Sequence, residues 1–428
     1  MTLILNRRHF MGASALTAGL ASAPAFANMP LTPKAAPWSP VTAALQGFVD
    51  KKYVPGAAGA IGRGTADADF LFTGALAFDN PTEVTADSLF RCYSMTKPVT
   101  GMAAMMLIED GKLKLDQNIA DFIPGFANPM VMIDPTKSLE ARPSRAPITV
   151  RNLMTHTAGL GYTIVTKGPL LEAYVKLGLT PASASRKPLP GQPNVPTAPS
   201  LAEFADRLAT LPLIADPGTK WSYSVSLDLL GRVIELASGQ SFDAFLQQRI
   251  FTPLGMTSTW FQVPETEMKR LTTNYFQAPF GAFPIDPGNS SVYFDKPAFP
   301  FGGAGLVSSP RDYDRFLAML MGEGAIGSTR IMKRETAQLG MSNLVHPDTK
   351  MESFVTGQGF GAGGRVTINP GKNGEGVGTF GWGGAASTIG WVDRTKGIRA
   401  SGWSQIMTMG DQPFVDGFSK SVYASLAN

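Results

Sequence analysis

Apolar positions along the chain follow two different periods. PVTAALQGFVDKKYVPG spaces them as an amphipathic helix and stops near Val54-Pro55-Gly56. AAGAIGRGTADADFLFTGALAF then sets two apolar stretches around a Gly- and Asp-rich turn, which predicts a β-hairpin. Helical spacing returns from Met102 to Ile108, with Gly111 placed to end that helix. Ser200-Leu-Ala-Glu203 reads as a capping box for EFADRLATL. Leu227–Leu236 is helical with Gly239 beyond it, and Ser241 stands where it would cap FDAFLQQRIF. Ser309-Pro310 supplies a cap and a first-turn proline for RDYDRFLAMLM.

From about residue 358 the period shortens. GFGAGGRVTI, GTFGWGG, STIGWVD and GIRASGW are short segments broken by glycine and read as strands of one antiparallel sheet, before a last helix in FVDGFSKSVYASLA. A hairpin first, helices in the middle, then strands and a helix predict an α+β fold. An antiparallel sheet flanked by helices would come from residues 38–90 and 290–428, with a mostly helical inserted lobe at 91–289. Residues 163–200, with Pro169, Pro181, Pro188, Pro190, Pro193, Pro196 and Pro199, read as a long structureless loop, either a surface excursion or a lid.

The first 27 residues stand apart from this pattern. Arg7-Arg8, Phe10, a short run of small apolar residues and Ala25-Phe26-Ala27 have the order of a twin-arginine export signal with its cleavage site. The expectation is a periplasmic or secreted protein of residues 28–428. The apolar run is too short to span a bilayer, and no later segment is long enough, so stable membrane insertion is not expected.

Charge and cysteine content narrow the classes further. Formal net charge is +4, and loss of the two leader arginines lowers it to +2. With no dense basic run either, nucleic-acid binding has no electrostatic support. Cys92 is the single cysteine, so no intrachain disulfide forms, and its role reads as buried packing. Only His156 and His346 follow the leader and no H-E-x-x-H occurs, which argues against a His-ligated zinc site. No cofactor is implied, and composition does not speak to oligomeric state.

Three segments carry candidate chemistry. Ser94-Met95-Thr96-Lys97 is an S-x-x-K, a spacing that puts hydroxyl and amine on one helix face. Pro98 belongs in a first turn, so the helix must begin close to Ser94, and a tight 3₁₀-like start would align the two side chains. Free N–H groups at a helix start suit a serine whose ester passes through an oxyanion. A serine needs an adjacent base, and a lysine relieved of its proton can be one. Tyr223, in a polar turn before a helix, can share the proton. Gly383 and Gly384, after Trp382, would let a strand edge approach a substrate closely. No G-x-S-x-G elbow of an α/β-hydrolase occurs.

Together these segments resemble the serine β-lactamase and penicillin-binding superfamily, and within it the family VIII carboxylesterases. SMTKPVTGMAAMMLIEDGKLKLDQNIADFIPGF, ITVRNLMTHTAGL, PGTKWSYSVSLDLLGRVIE, IFTPLGMTSTWF and FGGAGLVSSPRDYDRFLAML follow in the family's order over nearly all of residues 28–428. The resemblance implies a β-lactamase/transpeptidase-like fold, a Ser94 nucleophile, and Lys97 and Tyr223 as its general acid/base pair. It also implies an oxyanion hole from the Ser94 and Ala385 N–H groups, with Trp382-Gly383-Gly384 standing where K-T-G is usual. His156 would be structural.

Two departures make the cleft more apolar. Val225 replaces the Asn two residues after the tyrosine, and Trp382 replaces a Lys or His. Both fit a carboxylesterase acting on a short-chain ester, with Val225, Trp382, Gly383 and Gly384 beside the substrate. The alternatives are a β-lactamase or D-amino-acid peptidase, an acyltransferase of the same superfamily, or a binding protein that has lost the chemistry. Trp221, Trp382, Trp391 and Phe301 are open to reading as apolar pocket or as core.

Overall fold

The fold was obtained as a computed structural model that describes residues 37–180, 184–186, 196–351, 355 and 357–426. The leader at 1–27, and Pro181, Pro188, Pro190 and Pro193, lie outside the described residues. One eight-stranded sheet organises the chain, in the order Gln358–Phe360, Arg365–Thr367, Phe380–Gly384, Thr388–Asp393, Ile398–Trp403, Gly56–Arg63, Asp69–Ala77 and Asn80–Glu83. All its pairings are antiparallel. The predicted hairpin therefore forms, and it docks against Ile398–Trp403, bringing the two ends of the chain into one sheet.

Alternation of side chains sorts the sheet into two faces. Ala57, Ile61, Ile389, Trp391, Ile398 and Ala400 face the helices Ser39–Asp50 and Pro413–Ala424. Phe380, Trp382, Val392 and Trp403 join the larger core on the opposite face, with the helices Thr96–Glu109 and Pro310–Met321. The helix Thr96–Glu109 is buried along nearly all its length, which explains why its apolar residues show so little amphipathic bias. Gly101 permits this burial, because a Cβ there would stand 2.2 Å from the Ala362 carbonyl oxygen.

Most terminators act as the sequence suggests. Ser309 Oγ accepts the Asp312 N–H at 3.1 Å and Pro310 opens its helix. Gly239, at φ 75°, ends Ser226–Ser238. Two capping expectations are met only in part. Ser200 Oγ accepts the Glu203 N–H at 3.1 Å, but the Glu203 carboxylate turns to Arg207 at 2.8 Å instead of closing the box. Ser241 occupies the cap position of Phe242–Leu246, yet its side chain accepts no helix N–H.

Two elements differ from expectation. Pro169–Lys176, inside the segment expected to be structureless, is a helix. Pro169 sits at its first position, where a missing N–H costs nothing, and Leu170 and Tyr174 bury its inner face. A strand pair, Asn274–Ala278 with Gly281–Asp286, lies in the stretch expected to be mostly helical, and Ile406–Met407 joins it in parallel. Among the described residues, no helix is long and apolar enough to cross a membrane.

Candidate active site

Ser94 stands in a 3₁₀ turn, Tyr93–Met95, that runs directly into the helix Thr96–Glu109 with Pro98 in its first turn. The backbone before it is strained. Tyr93 has φ 43°, a left-handed conformation costing an aromatic residue about 1–3 kcal/mol. Its surroundings hold it there: the Tyr93 hydroxyl accepts from Asn274 Nδ2 at 2.9 Å, and the Cys92 N–H donates to Leu306 O at 2.8 Å. The result is a nucleophile that is only half-buried, between neighbours that are fully buried.

The three residues singled out in sequence meet at one atom. Tyr223 OH donates to Ser94 Oγ at 2.6 Å and Lys97 Nζ donates to it at 3.1 Å. Lys97 is 1% exposed and Tyr223 7%. Lys97 Nζ also donates to the Gly303 carbonyl at 2.7 Å, and lies 4.7 Å from the Tyr223 ring centre and 5.5 Å from that of Tyr162. Gly303 in turn donates its N–H to Asp228 Oδ1 at 2.9 Å. Burial raises the Asp228 carboxyl above its usual range, against the pull of the Lys97 charge and the Gly303 N–H. Burial likewise pushes the Tyr162 phenol well up, and the charges of Tyr223 and Asp228 add to the shift.

Tyr223 is held from behind. Asp216, at the start of its loop, accepts from Arg142 Nη2 at 2.6 Å and from the Arg145 N–H at 2.9 Å. The Arg142 guanidinium holds the Asp216 carboxyl at about 2. The Ser222 N–H donates to His156 O at 2.9 Å, and the Val225 N–H to Gly161 O at 3.1 Å. His156 packs its ring 4.9 Å from Tyr223 and shares a 3.0 Å hydrogen bond with Ser224 Oγ. Burial, and then the Lys97 charge, push the His156 imidazole well below its usual range, so it is neutral. Its polar contact is with Ser224 and not with Ser94.

The third segment closes the site from the sheet. A Cβ on Gly384 would lie 2.3 Å from the Cys92 carbonyl oxygen, so only glycine lets the strand end approach the nucleophile turn. Ala385, exposed, follows in the next turn. Trp382 points its indole N–H at Tyr223 OH from 3.5 Å, the outer edge of hydrogen-bonding distance, and Gly383 is partly exposed. Val225 has no exposed surface. Its side chain is part of the core cluster that also holds Tyr223.

The remaining aromatic candidates separate by position. Trp221 is fully buried and stacked on Tyr223 at 6.2 Å. Trp391 lies on the far face of the sheet with Phe418 and Tyr423. Phe301 lines a cavity of about 250 Å³ with Phe261, Tyr293 and Phe299. Ser94, Lys97 and Tyr223 do not line it.

Sequence reading passed over Gly303, Asp228, Tyr162 and the Arg91–Asp286 pair. Asp228 carried one signal, an acid within the apolar run of a buried helix. The Gly303 carbonyl carried none, because a backbone acceptor leaves no trace in residue type.

Comparisons with known proteins identify the family and the fold. The beta-lactamase family model matches residues 41–417. The chain is 33% identical to Protein Rv1367c of Mycobacterium tuberculosis (strain ATCC 25618 / H37Rv), over 71% of this chain and 73% of that one. It is 29% identical to Esterase EstB of Burkholderia gladioli, over 73% and 76%. Among solved structures it superposes on EstCE1, "a hydrolase with promiscuous acyltransferase activity", with a TM-score of 0.73 and 24% identity, covering 90% of this chain and 97% of that one. With most of its length matched and an S-x-x-K serine, a lysine and a tyrosine gathered at one atom, the chain belongs to the beta-lactamase family.

Proposed function

We propose that the protein is a serine carboxylesterase that hydrolyses short-chain acyl esters through an acyl-enzyme on Ser94. The observation that carries this reading is the convergence of Tyr223 OH and Lys97 Nζ on Ser94 Oγ, at 2.6 and 3.1 Å. Ser94 Oγ bonds to the ester carbonyl carbon while its proton passes to the Tyr223–Lys97 pair. The Ser94 and Ala385 N–H groups receive the oxyanion. The carbonyl re-forms, the alkoxide leaves with the proton from the pair, and water repeats the sequence on the acyl-enzyme.

The likeness to Esterase EstB supports the choice of ester within the family. So does the cleft itself. Trp382 lies against Tyr223 where the amide-cleaving relatives carry a cation, and Val225 replaces a polar neighbour, so nothing there rewards an anionic β-lactam. Comparing kcat/KM for p-nitrophenyl butyrate and nitrocefin tests the reading. A strong preference for the ester, lost in Ser94→Ala, supports it; preferred nitrocefin turnover overturns it in favour of a β-lactamase. Export through the twin-arginine route is part of the proposal and rests on Arg7-Arg8 and the Ala25-Phe26-Ala27 site. Retention in the cytoplasm of a host with an active twin-arginine system would contradict it.

A further inference from the structure

Lys97 Nζ lies in a nearly closed environment, and the groups that face it can be named. Ser94 Oγ and the Gly303 carbonyl take its hydrogen bonds, and the rings of Tyr223 and Tyr162 lie beside it. His156, neutral, packs behind Tyr223. Among the described residues the carboxylate in this company is Asp228, 2% exposed, at the start of the helix that follows Tyr223. It does not touch the lysine. It accepts the Gly303 N–H at 2.9 Å, while Lys97 donates to the carbonyl of the same residue, in the next peptide unit, at 2.7 Å. Gly303 has no room for a side chain, since a Cβ would fall 2.7 Å from Asp228 Oδ2. Asp228 and Lys97 thus fix Gly303 from its two sides, and Lys97 goes on to the nucleophile.

We infer that Asp228 is a positioning residue for the reaction proposed above: by fixing the Gly303 backbone it orients Lys97 on Ser94, and its buried charge stabilises the Tyr223–Lys97 pair when it takes the serine proton. This inference rests on the acyl-enzyme reading. The attacking step starts from the pair one proton short, a neutral Lys97 amine beside the Tyr223 hydroxyl or an ammonium beside its phenolate; the Ser94 hydroxyl proton fills that place and the Ser94 Oγ electron pair forms the bond to the carbonyl carbon. The pair gains one positive charge beside the buried Lys97 side chain, where an opposite charge nearby is favourable. When the alkoxide departs it takes that proton, and the pair returns to its first state.

Asp228→Asn is the informative substitution. The amide oxygen can still accept the Gly303 N–H, so the hydrogen bond survives and only the charge is removed. The pair then becomes a weaker base. The expected result is a loss in kcat/KM for p-nitrophenyl butyrate of about tenfold or more, with little change in KM. The acid limb of the pH–rate profile should also move to lower pH, by about one unit. A protein merely loosened by the substitution loses activity without moving that limb.

Normalising rates to the fraction that labels with a fluorophosphonate confines the measurement to folded sites. Wild-type protein that fails to label on Ser94 overturns the acyl-enzyme reading itself. Normal wild-type labelling, with an Asp228→Asn profile that keeps its height and its acid limb, overturns the role of Asp228 alone. Gly303→Ala is the second variant if Asp228→Asn does not fold, because its methyl group pushes the carboxylate away. It should move the acid limb in the same direction, and an unmoved limb would count against the inference.

Discussion

Two buried cations flank the nucleophile, six residues apart, and they are paired in different ways. Arg91 is completely buried and bound directly to Asp286, Nε to Oδ2 at 2.7 Å. Its other guanidinium nitrogens reach Thr272 O at 2.6 Å, Asp286 O at 3.0 Å, Ser291 Oγ at 3.1 Å and Gln405 Oε1 at 3.2 Å. Every donor direction is used, and the planar fork is fixed. Among the described residues Lys97 has no carboxylate in direct contact, and it meets Asp228 by way of the Gly303 backbone. A fully paired guanidinium cannot exchange its proton and serves as scaffold. Lys97 Nζ, with a backbone carbonyl, two tyrosine rings and the reacting hydroxyl around it, keeps one partner with which a proton can be exchanged. The distinction between framework and chemistry lies in how each charge is compensated, not in how deeply it is buried.

The sharpest way to break this contrast is on the chemical side. Ser94→Ala should abolish ester turnover while leaving the thermal unfolding midpoint close to that of the wild type, as measured by stopped assay and circular dichroism. On the framework side, Arg91→Ala leaves Asp286 buried without its partner. That should cost about 3–5 kcal/mol of stability, read from denaturant unfolding, because an orphaned buried charge is far more expensive than a missing pair. Activity of the protein that remains folded should fall much less than in Ser94→Ala. Tyr223→Phe keeps the ring stacked on Trp221 but removes the hydroxyl from Ser94, and should lower kcat by about 10²–10⁴-fold with KM nearly unchanged.

Sequence reading reached the chemical side of this comparison more readily than the framework side. Ser94, Lys97 and Pro98 are neighbours in the chain, so local helix geometry alone predicts that hydroxyl and amine meet. The cap at Ser309 and the stop at Gly239 are local in the same way. Arg91 and Asp286 are 195 residues apart, and Lys97 and Gly303 are 206 apart, so nothing local announces either contact. The helix Pro169–Lys176 was hidden for a different reason. Its neighbours are rich in proline, and a proline at the first helical position looks in sequence like any other proline. The strand pair at Asn274–Ala278 and Gly281–Asp286 is short and is completed by Ile406–Met407 from far along the chain.

The smallest expected effect sharpens the contrast from outside the core. Arg151 and Asp116 form an exposed pair, Nε to Oδ1 at 2.7 Å. Replacing Asp116 with Ala should change stability by no more than about 1 kcal/mol and leave kcat untouched. Asp216 gives a related acid-side signature. Its carboxyl is held at about 2 by Arg142, so its contribution is present above the ordinary carboxylate range and is lost as pH falls through about 2. Removing Arg142 should move that loss to higher pH in an acid unfolding titration.

The central claim is that Ser94, served by Lys97 and Tyr223, carries the acyl group. The most direct measurement is rapid acid quenching of the enzyme during p-nitrophenyl butyrate turnover, followed by peptide mass mapping. The account predicts a butyryl adduct on the peptide containing Ser94, absent from Ser94→Ala and accumulating when deacylation is slowed. Turnover that persists in Ser94→Ala, or an adduct on another residue, would contradict it.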